Sequence, residues 1–210
     1  MCNYFTFAKM KIVFFGTPPF SAYILEKLHA SINVVAVVCP PDREKGRGRK
    51  IISPSVKLKA QELNIKVLQP NNLNDSSFIA SLHNLNADLF IVVAFRMLPE
   101  IVWRIPKKGC VNLHTSLLPN YRGAAPINRV LINGEKQTGI TTFFINNKID
   151  EGNILLQEKI ELNNKITAAI LHNIMMERGA DLLLETIDKI AENKAEQVEQ
   201  NIALTDKTAP

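Results

Sequence analysis

Between Lys11 and Ala94, short apolar runs alternate with stripes of apolar residues at helical spacing, and few topologies accommodate that order. Lys11 to Phe15 (KIVFF) is closed by Gly16-Thr17-Pro18-Pro19, after which Phe20, Tyr23, Ile24 and Leu28 recur at helical spacing. Asn33 to Val38 (NVVAVV) is apolar almost throughout, which suits a parallel strand covered on both faces. Ser55 to Leu63 sets Val56, Ala60 and Leu63 on one helical face, and Lys66 to Leu68 is a short third strand. Asp75 to Leu85 carries Phe78, Ile79, Leu82 and Leu85 as another helical stripe ahead of Leu89 to Ala94 (LFIVVA). This alternation predicts the α/β class: a Rossmann-like doubly wound sheet with right-handed crossovers, parallel in the N-terminal half.

The second half has a different character. Cys110 to His114 is a fifth strand, and Pro126 to Ile132 is a short helix stopped by Asn133-Gly134. Gly139 to Ile145 and Asn153 to Ile160 are rich in Ile, Thr and Phe and close enough to pair as a hairpin, which makes the sheet mixed here. A long helix over Ala168 to Ile190 follows, and after Ala191 the chain turns polar and reads as a linker or a docked tail. The expected organisation is an N-terminal extension over 1–9 ahead of Met10, a catalytic domain over 10–190 and a tail over 191–210.

Of the 210 residues, 46% are hydrophobic, enough for one large core. Three cysteines without metal spacing (Cys2, Cys39, Cys110) argue against a disulfide framework or a zinc site and fit a reducing compartment. No apolar run reaches the roughly 18 to 20 residues of a membrane span, so a cytoplasmic, soluble, monomeric protein without a metal is expected. The net charge is +5, and residues 42–50 (DREKGRGRK) hold five cations against two acids, so most of the excess is local.

Asn112 and His114 stand one residue apart on the fifth strand and project to the same face, because side chains alternate. The strand ends in TSLLPNYRGAAP, at the kind of strand terminus where α/β folds place ligands. Asp150, in the turn between the last two strands (IDEG), is within reach of His114 in such a hairpin. Spacing alone leaves two readings open, a catalytic pair with a carboxylate or a loop cap beside an ordinary turn.

The run VNLHTSLLPNYRGAAPI (Val111 to Ile127), followed by TGITTFFI and IDEGNIL, resembles the folate-dependent formyltransferase family. FFGTPPF (Phe14 to Phe20), PDREKGRGRK (Pro41 to Lys50) and SPSVKLKA (Ser53 to Ala60) point to those members whose acceptor is methionyl initiator tRNA. The resemblance implies the formyltransferase fold and 10-formyltetrahydrofolate as co-substrate. It also implies that Asn112 donates to the developing oxyanion, that His114 as imidazolium supplies a second donor, and that Asp150 favours the charged imidazole and relays protons, with no metal or covalent intermediate. The folate site it implies comprises Ala94, Phe95, Arg96, Met97, Leu98, Ser116, Leu117, Leu118, Pro119, Asn147 and Ile149. Arg96 stands where the family pattern has a glycine, in a loop about one residue shorter than usual.

By the same resemblance the basic segment engages the tRNA acceptor end, with Arg43 foremost and Lys45, Arg47, Arg49, Lys50 and Phe20 assisting. A solvated charged loop is the plain alternative. Gly46-Arg47-Gly48 lacks the third glycine of a dinucleotide fingerprint, and Gly16-Thr17-Pro18 lacks the Gly-Lys-Ser/Thr ending of a phosphate loop. Family members continue into a C-terminal β-barrel that assists tRNA binding, whereas this chain stops at Pro210, so weakened tRNA affinity around an intact chemical centre is expected. Sugar-nucleotide and glycinamide ribonucleotide formyltransferases and the formate-releasing hydrolase share the Asn, His and Asp, but the basic segment argues against them. A catalytically silent folate- or RNA-binding module is the reading from another class.

Overall fold

The computed structural model describes residues 10–45 and 49–201, which divide into two compact units, Met1–Cys110 and Val111–Pro210. Gly46, Arg47 and Gly48, the expected N-terminal extension and the last nine residues lie outside the described residues.

In the first unit, β1 (Lys11–Gly16) pairs in parallel with β2 (Asn33–Val38) on one side and β6 (Leu89–Val93) on the other, and β2 pairs in parallel with β5 (Val67–Leu68). β6 is buried at every position, as a strand covered on both faces must be, which is why no polar residue interrupts it. Helix α1 (Pro19–His29) starts with proline in its first turn, where the missing N–H costs nothing, and buries Phe20, Ile24, Leu25 and Leu28. Helix α2 (Ser55–Glu62) packs through Val56 and Ala60. Asp75 caps α3 (Ser76–Asn84), its Oδ1 accepting from the backbone N–H groups of Ser77 and Phe78, both at 3.0 Å. A single-turn helix, α4 (Glu100–Trp103), was not expected from the sequence.

The segment read as a basic loop is built differently. β3 (Arg43–Lys45) and β4 (Lys50–Ile52) pair antiparallel, so the charges ride on a two-stranded hairpin. Three-residue strands with charged or exposed side chains show no alternation of apolar and polar residues, which hid them. The base of the hairpin is tied down. Asp42 accepts from Lys57 Nζ (2.6 Å) and Gln69 Nε2 (2.9 Å), and the same Gln69 nitrogen donates to the Pro40 carbonyl at 2.9 Å.

In the second unit, β7 (Cys110–His114) pairs antiparallel with β8 (Gln137–Phe144), and β8 with β9 (Ile154–Glu161), the hairpin that the sequence predicts. Helix α5 (Pro126–Ile132) leaves the loop after β7, and α6 (Ala168–Ala191) is capped by the Thr167 hydroxyl, which accepts from the Ile170 N–H. Leu171, Met175, Leu182, Leu183, Ile187 and Ile190 of α6 are buried, each contributing about 1.5–3 kcal/mol. Gly179 lets that helix approach the sheet, since a Cβ there would stand 2.8 Å from Leu113 Cδ2. Beyond α6, Val198 bridges antiparallel to Ile154, and Gln200 is buried.

Candidate active site

Strand alternation divides the side chains of β7 and β8 between two faces. Leu113 and its partner Thr142 face α6, where the Thr142 hydroxyl lies 2.8 Å from that of Thr186. His114 and its partner Thr141 therefore face the other way, and Asn112, opposite Phe143, shares their face. Asn112 is half-buried, while His114 is 7% exposed.

Both ring nitrogens of His114 meet oxygens. Nε2 lies 2.8 Å from the Tyr121 carbonyl, an oxygen that only accepts, so Nε2 carries a proton in this arrangement. Nδ1 faces Asp150 Oδ2 at 3.6 Å, an ion-pair distance just beyond a hydrogen bond. That carboxylate oxygen also accepts from the Gly123 N–H at 2.8 Å, which ties the turn after β8 to the loop after β7. Tyr121 and Asp150 both adopt left-handed backbone (φ 58° and 52°), uncommon for residues other than glycine and found where the surroundings enforce it. Arg122, buried behind the turn, donates to Glu151 Oε1 at 2.9 Å, and Lys148 lies 3.3 Å from the other carboxylate oxygen.

The Ser116–Pro119 run is held by a network that sequence reading missed. Thr141 Oγ1 donates to the Ser116 carbonyl (2.7 Å) and accepts from the Leu118 N–H (3.2 Å). Gln157 Nε2 donates to both Thr141 Oγ1 and the Leu118 carbonyl at 2.9 Å. The Ser116 hydroxyl closes the loop by donating to the Asn120 carbonyl at 2.6 Å. The only sequence signal was period two: Thr141 and Gln157 are polar positions on facing strands, and they are register partners. Ser116 and Leu118 are buried and Leu117 and Pro119 half-buried, whereas Asn147 and Ile149 are exposed on the turn. Thr115, Ala125, Pro126, Asn128, Ala168 and His172 are among the residues lining a cavity of about 500 Å³ that begins one residue beyond His114.

In the first unit, Ala94 is exposed with φ 49°, Phe95 sets its ring edge-on to Phe15 at 5.6 Å, Met97 is 77% exposed and Leu98 is buried. Arg96 is the departure noted above. Its guanidinium donates to the Pro70 carbonyl (2.7 Å) and the Asn71 carbonyl (3.2 Å), so it staples two loops together. Phe20 is buried in α1. Arg43, Arg49 and Lys50 are exposed on the hairpin, Lys45 lies in β3, and Arg47 is outside the described residues. Burial pushes the Cys39 thiol up to about 11 and raises that of Cys110 further, so neither is a nucleophile at neutral pH. Among the described residues no group of three or more His, Cys, Asp or Glu is placed to hold a metal ion, and no helix is long and apolar enough to cross a membrane.

A family model described as formyl transferase matches residues 10–187. A methionyl-tRNA formyltransferase of Flavobacterium psychrophilum is 50% identical over 184 residues, 87% of this chain and 58% of the relative. One from Flavobacterium johnsoniae is 49% identical over 186 residues, 88% and 59%. The chain thus spans about three fifths of the length of these curated relatives. Among solved structures, glycinamide ribonucleotide transformylase 1 from Symbiobacterium toebii is similar with a TM-score of 0.72 at 18% identity, covering 91% of this chain and 94% of that one. A sugar 3N-formyl transferase solved with dTDP and 5-N-formyl-THF gives 0.70 at 22%, covering 95% and 69%. Both show the same fold, the α/β arrangement expected from the sequence.

Proposed function

Because this chain belongs to the formyl transferase family, we propose that it moves the formyl group of 10-formyltetrahydrofolate to the α-amino group of methionyl initiator tRNA, acting as a cytoplasmic monomer. The observation that carries the chemistry is the grouping of Asn112, His114 and Asp150 within one unit, with the His114 ring between an acceptor carbonyl and a carboxylate. The close relatives support the acceptor.

Formyl transfer needs an uncharged amine to attack the formyl carbon, a donor for the oxyanion that forms, and a route for the proton from the amine to the departing folate nitrogen. Asn112 is half-buried on the face shared with His114, and its side-chain amide is the neutral donor for the oxyanion. His114 Nδ1 and Asp150 form the proton route, and their 3.6 Å separation has to close to hydrogen-bond distance when substrate binds. His114 Nε2 reaches the oxyanion only by releasing the Tyr121 carbonyl, so its role as second donor requires that loop to give when substrate binds. The folate supplies the activated formyl group. In the second unit the Ser116–Pro119 wall and the exposed Asn147 and Ile149 are assigned to its ring; for Ala94, Phe95, Arg96, Met97 and Leu98 of the first unit the assignment rests on the resemblance alone. The cavity beside Thr115 offers room for a group carried by the amine. Arg43, Lys45, Arg47, Arg49 and Lys50 are assigned to the tRNA phosphates.

The test is an acceptor panel. The chain is incubated with 10-formyltetrahydrofolate and, separately, methionyl-tRNA, an amino-sugar nucleotide and glycinamide ribonucleotide, and the formylated amine is identified by mass. Formyl-methionyl-tRNA is expected. Transfer only to a small amine overturns the acceptor, and formate release or no transfer with every acceptor overturns the activity.

A further inference from the structure

The polar stretch after α6 is tied to the turn that carries Asp150. Ile154 N–H donates to the Val198 carbonyl at 2.8 Å and Val198 N–H returns a bond to the Ile154 carbonyl at 2.9 Å, a two-bond bridge beside the turn. Asn153 Nδ2 adds a bond to Gln197 Oε1 at 3.2 Å. Gln200 then buries its side chain, which is 6% exposed, and its single amide nitrogen donates to the Asp150 carbonyl at 2.9 Å and to the Gly152 carbonyl at 2.8 Å. Both hydrogens of one NH2 group are spent on the two carbonyls that flank Glu151.

That geometry matters because the turn is held in a costly backbone state. Asp150 has φ 52°, a left-handed conformation that crowds the Cβ of an L-residue and persists only where neighbours fix it. The turn is also confined by close packing: a Cβ on Gly152 would stand 1.6 Å from the Phe144 carbonyl oxygen. The Asp150 peptide is therefore fixed at its carbonyl by Gln200, while its side chain bonds to the Gly123 N–H and faces His114 Nδ1. Backbone and side chain of one residue are held by separate partners.

We propose that Gln200 is a positioning residue for the Asp150 carboxylate, its amide locking the turn so that the carboxylate meets His114. This rests on the reading that Asp150 serves formyl transfer. Gln200 acts through backbone carbonyls and touches no reacting atom.

Gln200→Met keeps the length and removes both donors. Two readouts separate positioning from plain stability. The first is the 1H–15N spectrum of the His114 ring, whose Nδ1 faces Asp150. Gln200→Met is expected to shift it, and an unchanged spectrum overturns the proposal. The second is a double-mutant cycle with Asp150→Asn in the formyl-transfer assay. With Asp150 present, Gln200→Met is expected to lower kcat roughly tenfold, on the order expected for a small displacement of a catalytic group, with KM nearly unchanged. In the Asp150→Asn background it is expected to lower kcat no further. Equal factors in both backgrounds overturn the proposal. Gln200→Asn, which keeps the donors but withdraws them by one methylene, gives the same pattern at smaller size if Gln200→Met does not fold; its failing to move the His114 spectrum overturns the proposal too. A chain that transfers no formyl group while its His114 spectrum still responds to Gln200→Met contradicts the proposed activity and leaves the positioning intact.

Discussion

The turn after β8 and the hairpin of β3 and β4 both carry functional candidates, and they are held in opposite ways. Around Asp150 the backbone is left-handed, Asp150 and Glu151 are half-buried, and two separate segments grip the turn, Arg122 and Gly123 in the loop after β7 and Gln200 beyond α6. On the hairpin, Arg49 and Glu44 side chains are 84% and 60% exposed, Ile51 is 72% exposed, and Asp42, Lys57 and Gln69 form a knot at its base. A transition state requires donors fixed in advance, whereas neutralising phosphates requires only reachable charge. Under the proposed assignment of the turn to chemistry and the hairpin to the acceptor, substitutions in the two regions should report in different kinetic parameters.

The largest expected effect is from His114→Ala. Both ring contacts, to Tyr121 and to Asp150, are lost, and kcat is expected to fall about a hundredfold or more while the affinity for methionyl-tRNA, read by filter binding, stays within a few-fold. Equal losses in both quantities would contradict the separation of chemistry from acceptor binding. Next comes Gly152→Ala. Its methyl group would meet the Phe144 carbonyl oxygen, so the turn must move, and urea denaturation is expected to show a loss of about 1–3 kcal/mol accompanied by reduced kcat. An unchanged midpoint would show that the turn is looser than its contacts indicate.

Arg43→Ala sharpens the comparison from the other side. Thermal stability and kcat at saturation should hold, while the slope of log affinity against log salt falls by about 1, the signature of one lost phosphate contact. The smallest effect concerns pH. Hydrogen bonds from Lys57 first and Gln69 next hold the Asp42 carboxyl below its usual 3.8. A carboxyl lowered in the folded state stabilises above the unfolded value and loses that contribution as pH falls through the folded value. Protection of the β3 and β4 amides, taken relative to their intrinsic exchange rates, is therefore expected to fall below about pH 4 in the parent chain, and Asp42→Asn, already lacking the charge, should show little of that pH dependence.

What the sequence disclosed divides along the same line. Period-two alternation sufficed to put Asn112 and His114 on one face, and the β8 and β9 pairing followed from two β-rich runs flanking a turn. The parallel strands of the first unit were legible because burial on both faces leaves only apolar residues. The hairpin was not legible, because three-residue strands with exposed charges carry no period. Thr141 and Gln157 were invisible as a pair, because their work on the Ser116–Pro119 loop depends on register between strands. Gln200 sat in a polar stretch without pattern, and only the long-range bonds to Asp150 and Gly152 show what it holds. The left-handed residues Tyr121 and Asp150 likewise carry no mark in sequence, since their conformation is imposed by tertiary contacts.

Asn112→Ala in a single-turnover assay, with 10-formyltetrahydrofolate and methionyl-tRNA both saturating, tests the site most directly. It removes the proposed oxyanion donor from a half-buried strand position and leaves the His114 and Asp150 contacts in place. The expected result is a rate of formyl-methionyl-tRNA formation lower by about a hundredfold, with binding of both substrates and thermal midpoint nearly unchanged. A rate close to that of the parent chain would contradict the assignment of the transfer site to this strand.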